Sequence, residues 1–290
     1  MSNKDTPFKK KNRTIRCGNK IIDFSSPKIM GVLNLTPDSF YDGGKYQQEK
    51  LRKEQTAKML KDGADIIDIG AVSTRPGAET IDKEEELRRI IGPLHQLIRE
   101  FPEAIFSIDT FRSLVARECI NSGAHIINDI SGGNFDDKMF ETIAELKVPY
   151  ILMHLHGTPE NMQQSPIANN IVQIIKQYFK ERVTTLQNLG VEDIFLDPGF
   201  GFGKTLKCNY TILKYLEELR IEDLPILSGI SRKSMINKVI NIKPSEALNG
   251  STVLNTIALL NGANILRVHD VKEAKEAIDI VHFSEEFGDC

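Results

Sequence analysis

A unit made of a short apolar segment, a polar stretch and an amphipathic helix recurs eight times along this chain of 290 residues. The predicted strands cover residues 29–35, 65–70, 105–109, 126–130, 149–153, 194–197, 225–229 and 265–269. The predicted helices lie near 47–61, 83–100, 112–121, 137–146, 169–188, 208–220, 246–261 and 272–282. Near-continuous apolar strands that alternate with helices are typical of a parallel sheet covered by helices. Because eight such units close a barrel, we expect an α/β fold, the (β/α)8 TIM barrel.

An open, doubly wound sheet is the competing fold, but it would need fewer strands and a switch point in the strand order. Ahead of the repeats, residues 14–24 read as two short strands joined across Gly18 and Asn19, a typical hairpin turn. We expect this N-terminal β-hairpin to cap the bottom of the barrel. The predicted organisation is a tail with the hairpin at 1–27 and a single barrel domain at 28–290.

Composition argues against several classes of protein. A net charge of −3 provides no general attraction to nucleic acid or to anionic membranes. The four cysteines are widely spaced and form no CxxC pair, which favours neither a zinc knuckle nor a disulfide framework. No apolar run approaches the roughly 18 residues that a membrane span needs, and the first thirty residues lack the apolar core of a signal peptide. We therefore expect reduced thiols and a cytoplasmic location.

Polar residues stand at or just beyond the carboxyl ends of all eight predicted strands. In strand order these are Asn34; Ser73, Thr74 and Arg75; Asp109; Asn128 and Asp129; His154; Asp197; Ser231, Arg232 and Lys233; and Arg267 and His269. One polar strand end is commonly a helix cap or a core hydrogen bond. In a barrel, however, all eight ends meet on the face that carries the chemistry of barrel enzymes.

The loop at 197–205 ends in Gly-Lys-Thr and so resembles a phosphate-binding P-loop. The P-loop pattern needs a glycine at the position of Pro198, and the dinucleotide pattern G-x-G-x-x-G also fails, so we reject nucleotide binding here. Its glycines instead allow the backbone to approach a flat ligand, against which Phe202 could stack beside Asp197. A flexible loop with a core phenylalanine is the plainer alternative.

Arg267 and His269, two residues apart on the last predicted strand, share one face. The preceding unit contributes Ser231, Arg232 and Lys233, and these two units form the corner at which barrels commonly bind phosphate. We therefore expect an anion pocket there, although Arg232 by itself would be an ordinary surface charge. By contrast, the acidic and basic residues at 84–89 predict a solvent-exposed helix face with i,i+4 ion pairs and no further role.

Seven blocks, in order and spread over about residues 29–272, together resemble the dihydropteroate synthase family. They are 34–40 (NLTPDSF), 73–78 (STRPGA), 107–110 (SIDT), 127–129 (IND), 197–204 (DPGFGFGK), 231–234 (SRKS) and 267–270 (RVHD). Departures from the family pattern are small. Ala71 and Val72 stand where the family often has Gly-Glu, and Ala247 where an arginine is common, which we expect to affect loop packing and a helix-surface contact.

The resemblance implies an enzyme of folate biosynthesis and a sulfonamide target. It would condense 6-hydroxymethyl-7,8-dihydropterin diphosphate with p-aminobenzoate, giving 7,8-dihydropteroate and pyrophosphate with Mg²⁺, and would form a homodimer. A pterin-binding methyltransferase barrel would share Asp109, Asn128 and Asp197 but would have no use for a diphosphate pocket. A non-catalytic pterin-binding protein is the other alternative, and would be expected to lose the first two loops.

The resemblance also implies a role for individual residues. The catalytic group is Asp109, Lys233, Arg267 and His269. The pterin contacts are Asp109, Asn128, Asp197, Lys233 and Met153. The diphosphate contacts are Asn34, Thr74, Arg267, His269 and Ser231, with Asn34 as the Mg²⁺ ligand. The p-aminobenzoate contacts are Thr74, Arg75, Pro76, Phe202, Lys233, Ser234 and Phe40.

Overall fold

The computed structural model describes residues 13–35, 45–72 and 81–286, with side chains from residue 47 onward in the second range. Its strands are β1 (Thr14–Cys17), β2 (Lys20–Asp23), β3 (Lys28–Asn34), β4 (Ile66–Gly70), β5 (Ile105–Asp109), β6 (Ile126–Asp129), β7 (Tyr150–Met153), β8 (Ile194–Asp197), β9 (Leu227–Ser228) and β10 (Ile265–Val268). Its helices are α1 (Lys45–Lys61), α2 (Lys83–Glu100), α3 (Ser113–Asn121), α4 (Met139–Leu146), α5 (Ile171–Asn188), α6 (Leu206–Lys214), α7 (Ser234–Ile240), α8 (Leu248–Leu260) and α9 (Val271–Glu286). Within these ranges, short 3₁₀ helices cover Leu216–Leu219 and Pro244–Glu246.

Eight parallel strands form one sheet in the order β8-β7-β6-β5-β4-β3-β10-β9. A parallel bridge between Leu196 and Ile226 joins the two outer strands, so that the sheet closes on itself. Each strand is followed by helix, and the apolar outer faces of the strands pack with these helices in one large core. The predicted (β/α)8 TIM barrel is therefore confirmed.

The hairpin β1–β2 covers the amino-terminal end of the barrel. Its strands pair antiparallel, with Cys17 opposite Lys20, and its apolar side chains pack onto a buried layer contributed by the strand starts. Phe24, just after the hairpin, lies edge-on against Phe195, with ring centroids 5.9 Å apart. The layer consists of Met30, Ile66, Ile105, Ile126, Ile151, Phe195, Leu227 and Ile265. The hairpin caps the barrel bottom, as expected, and leaves the carboxyl ends of the strands for ligands.

Differences from the predicted elements lie mainly in the seventh unit. The predicted strand 225–229 shortens to Leu227–Ser228, and helix α7 occupies a stretch in which no helix was predicted. Seven residues are too few to display a helical period, which explains the omission. Ala247, expected at a helix surface, is fully buried. Within the described ranges no helix is both long and apolar enough to cross a membrane.

Candidate active site

The inner face of the barrel changes from apolar to polar toward the carboxyl ends of the strands. Side chains two apart on a strand share a face, so the layer above the apolar bottom begins with Asp68, Ser107 and Asn128. These three side chains are all buried. Asp197 and Arg267 likewise stand two residues above Phe195 and Ile265 of the bottom layer, and Asp109 stands two residues above Ser107. The barrel therefore brings ionisable groups from four strands, β4, β5, β8 and β10, to one face, together with the amide of Asn128 from β6.

Arg267 lies at the centre of this space, held by two carboxylates. Its Nε donates to Asp68 Oδ2 at 2.7 Å, and its Nη2 donates to Asp109 Oδ2 at 2.8 Å. Nη2 is also 2.7 Å from Asp68 Oδ2. Burial lowers the pKa of the guanidinium, but the two carboxylates outweigh it and raise that pKa above its ordinary value. Arg267 is thus a fixed cation in the site.

Asp109 is the more exposed of the two carboxylates, with 18% of its side chain accessible, whereas Asp68 has none. Burial raises the pKa of Asp109 to about 7; Arg267 opposes the shift, and Asp68 adds to it. A carboxylate with its pKa in this range is close to the balance between its two protonation states at neutral pH. Asp109 can therefore gain or lose a proton near pH 7, and it is an anion in part of the molecules at neutral pH.

Asn128 and Asp197 lie on strands two apart in the sheet and are both buried. Asn128 Nδ2 donates to Asp68 Oδ2 at 3.0 Å, so its carbonyl oxygen is the end left to accept a hydrogen bond. Asp197 Oδ1 accepts the backbone N–H of Gly199 at 2.7 Å. Burial raises the pKa of Asp197, while Lys233 and the bond from Gly199 oppose the shift.

Lys233 reaches the site from the loop after β9. Its Nζ donates to the carbonyl of Phe200 at 2.5 Å and lies 4.6 Å from the ring centroid of Phe202, a cation–π distance. Burial lowers the pKa of the ammonium to about 8, with Asp197 opposing the shift. Phe202, which is half-buried, packs against the apolar cluster that contains Met153. These residues form a cationic and aromatic wall beside Asp197.

Lys204 has a different role from that of a P-loop lysine. Its Nζ is buried and donates to three backbone carbonyls, those of His154 at 3.0 Å, Gly199 at 2.8 Å and Phe202 at 2.9 Å. All three ammonium hydrogens are used, so Lys204 has none left for a phosphate. It ties the loop carrying Phe202 to the end of β7, consistent with the rejection of nucleotide binding.

Ser231 and His269 meet at the expected anion corner. Ser231 Oγ is 3.2 Å from His269 Nδ1, and the backbone N–H of His269 donates to the same oxygen at 3.2 Å. Arg232 has a left-handed backbone with φ of 57° and pairs with Asp270 through two hydrogen bonds of 2.9 and 2.7 Å. Arg232 therefore braces the loop between Ser231 and Lys233 by an ion pair.

The remaining predicted residues fall into two groups. Asn34 is exposed at the end of β3, Met153 is buried at the end of β7, and Ser234 is the exposed first residue of α7. The residues predicted on the first two loops, Phe40, Thr74, Arg75 and Pro76, lie outside the described residues. Among the side chains that the structure describes, no group of three or more His, Cys, Asp or Glu is arranged to hold a metal.

Two residues near the site were missed by the sequence reasoning. Asp68 was not singled out, although a carboxylate in the middle of an apolar strand is itself a signal. Glu86 was assigned to an exposed helix face, which is wrong: it is fully buried and pairs with Arg112, which also donates to the carbonyl of Ile81. Glu86 shares the buried stripe of α2 with Ile90, so the helical period could have revealed it.

Comparison with known proteins agrees with this geometry. Residues 30–269 match the model of a family described as pterin binding enzyme. The chain is 44% identical over 262 residues to the dihydropteroate synthase of Escherichia coli (strain K12), covering 90% of this chain and 92% of that protein.

Solved structures give the same result. A Yersinia pestis dihydropteroate synthase solved with a sulfonamide drug matches with a TM-score of 0.88 and 39% identity, covering 94% of this chain and all of that one. The Xanthomonas albilineans dihydropteroate synthase with 4-aminobenzoic acid matches with a TM-score of 0.88 and 32% identity, covering 95% of this chain and 99% of that one. The chain therefore belongs to the pterin binding enzyme family and, within it, to the dihydropteroate synthases of folate biosynthesis.

Proposed function

We propose that the polar face of this barrel binds 6-hydroxymethyl-7,8-dihydropterin diphosphate and condenses it with p-aminobenzoate to give 7,8-dihydropteroate and pyrophosphate. The observation that carries the proposal is the cluster in which Arg267 contacts Asp109 at 2.8 Å and shares the carboxylate of Asp68 with Asn128. An anion-binding cation, an ionisable carboxylate and ring-edge hydrogen-bonding groups are the parts that this reaction requires. Its ligand classes also match the names of related structures, which include a complex with 4-aminobenzoic acid.

The pterin ring edge offers adjacent donors and acceptors, and we assign it to Asn128, Asp197 and Lys233. The carbonyl of Asn128 and the carboxylate of Asp197 accept hydrogen bonds from ring N–H groups, whereas the ammonium of Lys233 donates to a ring acceptor. The apolar cluster of Met153, Leu155 and Met162, against which Phe202 packs, supports this assignment because a flat ring needs an apolar face.

The diphosphate is assigned to the corner formed by Arg267, His269 and Ser231, with Thr74 from the second loop. None of the hydrogen bonds within the described ranges uses Nη1 of Arg267, which is therefore available to an incoming phosphate oxygen. A guanidinium bound to phosphate is a charge-assisted pair and is roughly twice as strong as a neutral hydrogen bond.

Mg²⁺ is proposed at Asn34, whose exposed amide stands at the carboxyl end of β3. A single protein oxygen fits Mg²⁺, which keeps most of its water and shares oxygens of bound phosphate. When bound, the ion would neutralise charge on the diphosphate leaving group. Asn34 fits this role because its side-chain amide supplies an oxygen and because it lies at the carboxyl end of β3.

We propose a dissociative mechanism. The bond between the pterin methylene carbon and the bridging oxygen breaks, and its electron pair leaves with pyrophosphate, whose charge is stabilised by Arg267 and His269. Asp109, as a carboxylate, stabilises the cationic pterin methylene, while Lys233 holds the ring. The amine of p-aminobenzoate then attacks this carbon, forms the C–N bond and releases a proton to solvent.

The p-aminobenzoate pocket is proposed between Phe202, Lys233 and Ser234 and the first two loops, which contribute Phe40, Thr74, Arg75 and Pro76. The ring of Phe202 and the exposed start of α7 support this position, because they lie at the mouth of the barrel beside Lys233. An aromatic acid can stack on the ring and pair its carboxylate with a donor or a cation.

A homodimer is also proposed, through the face formed by α6, α7 and α8. Large apolar side chains are exposed there: Tyr215, Val239, Ile240, Leu248, Val253 and Leu260. Large apolar side chains exposed on neighbouring helices support this position, because exposed apolar patches commonly mark interfaces. The three described cysteines are free and buried, which is compatible with the cytoplasmic location predicted from the sequence.

The decisive experiment measures pyrophosphate release. Release should require both dihydropterin diphosphate and p-aminobenzoate, and should fall by orders of magnitude in Asp109→Ala. Release without p-aminobenzoate would indicate simple hydrolysis, and no release with both substrates would contradict the proposed reaction.

A further inference from the structure

Asp68 lies in the middle of β4, and its carboxylate has no exposure to solvent. The other positions of this five-residue strand are Ile66, Ile67, Ile69 and Gly70, all buried. A charged group in such surroundings costs several kcal/mol unless it is paired and hydrogen-bonded. An apolar residue at this position would avoid the free-energy cost of burying a charge. The presence of Asp68 here therefore suggests that its carboxylate has a function.

The contacts of Asp68 indicate that role. One oxygen, Oδ2, accepts from Arg267 Nε at 2.7 Å and from Asn128 Nδ2 at 3.0 Å. These two partners come from β10 and β6, on opposite sides of β4 in the sheet order. Under the proposed function, they belong to different parts of the first substrate, the diphosphate and the pterin ring.

For Asn128, the contact decides which end of the amide faces the ligand. An ionised carboxylate is an acceptor only, so the amide group turned toward Asp68 must be the nitrogen. The carbonyl oxygen is then presented to the site and can accept from a ring N–H. An amide turned the other way would present a donor and mismatch that ring edge.

For Arg267, the contact fixes one edge of the guanidinium. Nε and Nη2 are engaged by Asp68, and Nη2 also reaches Asp109. The planar fork then has a defined orientation, with Nη1 as the nitrogen left for an anion. Without Asp68, Arg267 would be free to pair with Asp109 alone.

We propose that Asp68 is a positioning residue that orients, with one carboxylate oxygen, both Arg267 for the diphosphate and Asn128 for the pterin ring. Asp68 is too deeply buried to touch substrate, and it acts through its two partners. This inference rests on the proposed function, because it takes the ligand assignments of Arg267 and Asn128 from it.

The test is Asp68→Asn, which keeps the size of the side chain and removes its charge. Calorimetric titration with pyrophosphate and with a pterin analogue should show about 10-fold to 100-fold weaker binding of both ligands, the scale typical of losing a residue that orients ligand-binding side chains. Asp65→Asn, at the residue just before the same strand, is the matched control and should bind both ligands like the parent.

A second readout separates positioning from general damage. Asp109 is faced by Arg267, Asp68, Glu86 and Asp129, and its own charge acts on Lys233. Since Asp68 contributes to the raised pKa of Asp109, Asp68→Asn should move the acidic limb of the pH profile of kcat/KM to lower pH. Loss of packing alone would scale the profile without moving that limb.

The outcomes are distinguishable. Folded Asp68→Asn with both affinities within twofold of the parent, or with only one of them weakened, would overturn the inference. Unchanged binding in Arg267→Ala and Asn128→Ala would overturn the proposed ligand assignments and the inference with them. If Asp68→Asn does not fold, Asp68→Ser, which keeps one acceptor oxygen, replaces it in the same titrations and is judged by the same criterion.

Discussion

Replacement of Lys204 by methionine tests whether a buried ammonium holds the loop that carries Phe202. Methionine has a similar length and no charge, so Lys204→Met deletes three hydrogen bonds of 2.8 to 3.0 Å to backbone carbonyls. In this variant the carbonyl of Gly199 still accepts the backbone N–H of Phe202 at 3.1 Å. The carbonyls of His154 and Phe202 lose the ammonium of Lys204 as their donor.

The magnitude follows from these two carbonyls. A buried polar group without a partner costs roughly 1–3 kcal/mol, so two of them cost about 2–6 kcal/mol. Burial of the ammonium has a cost of its own, visible in the lowered Lys204 pKa of about 7, and methionine avoids that cost. The free energy of unfolding should therefore fall toward the lower end of this range, by about 2–4 kcal/mol.

The assay is urea denaturation combined with steady-state kinetics. Lys204→Met should lower the urea midpoint and raise KM for p-aminobenzoate, because the ring of Phe202 loses its support beside Lys233. Lys207→Met is the matched control, since Lys207 is exposed on α6, and surface changes of this kind stay within about 0.5 kcal/mol. Equal unfolding free energies for the two variants, together with an unchanged KM, would refute the role assigned to Lys204.

Three further predictions concern the same face. Gly203→Ala should destabilise the protein more than Gly190→Ala: both glycines have positive φ, but only at Gly203 would a Cβ lie 2.3 Å from a carbonyl oxygen, that of His156. Equal urea midpoints would contradict this. The dependence of kcat/KM for dihydropterin diphosphate on pH should be bell-shaped. It should rise as Asp109 ionises near pH 7 and fall as Lys233 loses its proton near pH 8. A profile that is flat from pH 6 to 9 would be inconsistent with these roles. Arg267→Ala should abolish pyrophosphate binding and destabilise the fold more at pH 8 than at pH 5. The variant leaves Asp68 and Asp109 without their guanidinium partner, and buried carboxylates without a partner have raised pKa values. The folded variant then binds more protons than the unfolded chain, so it gains stability as pH falls. A loss of stability that is independent of pH would argue against these ion pairs.

The sequence by itself was enough to predict the barrel and the polar face formed by the carboxyl ends of its strands. Eight strand and helix units set the strand number, and the closing geometry of a barrel brings all strand ends to one face. The strand positions alone were therefore enough to place four residues on one face, before any interatomic distance was known: Asp109, Asn128, Asp197 and Arg267. The hairpin under the barrel was predictable for a similar reason, because a turn signal between two short strands is a local property.

Tertiary structure alone decided which groups pair within that face. The bonds of Arg267 join residues 199 and 158 positions apart in the chain, and no local pattern encodes such partners. The sequence already argued against a P-loop lysine at Lys204, but only the folded chain shows that its ammonium donates to three backbone carbonyls. The helical period could have placed Glu86 on the buried side of α2, but only the folded chain shows that it pairs with Arg112. Hydrogen-bond partners, unlike strands and helices, depend on distances between remote segments, and only the folded chain sets those distances.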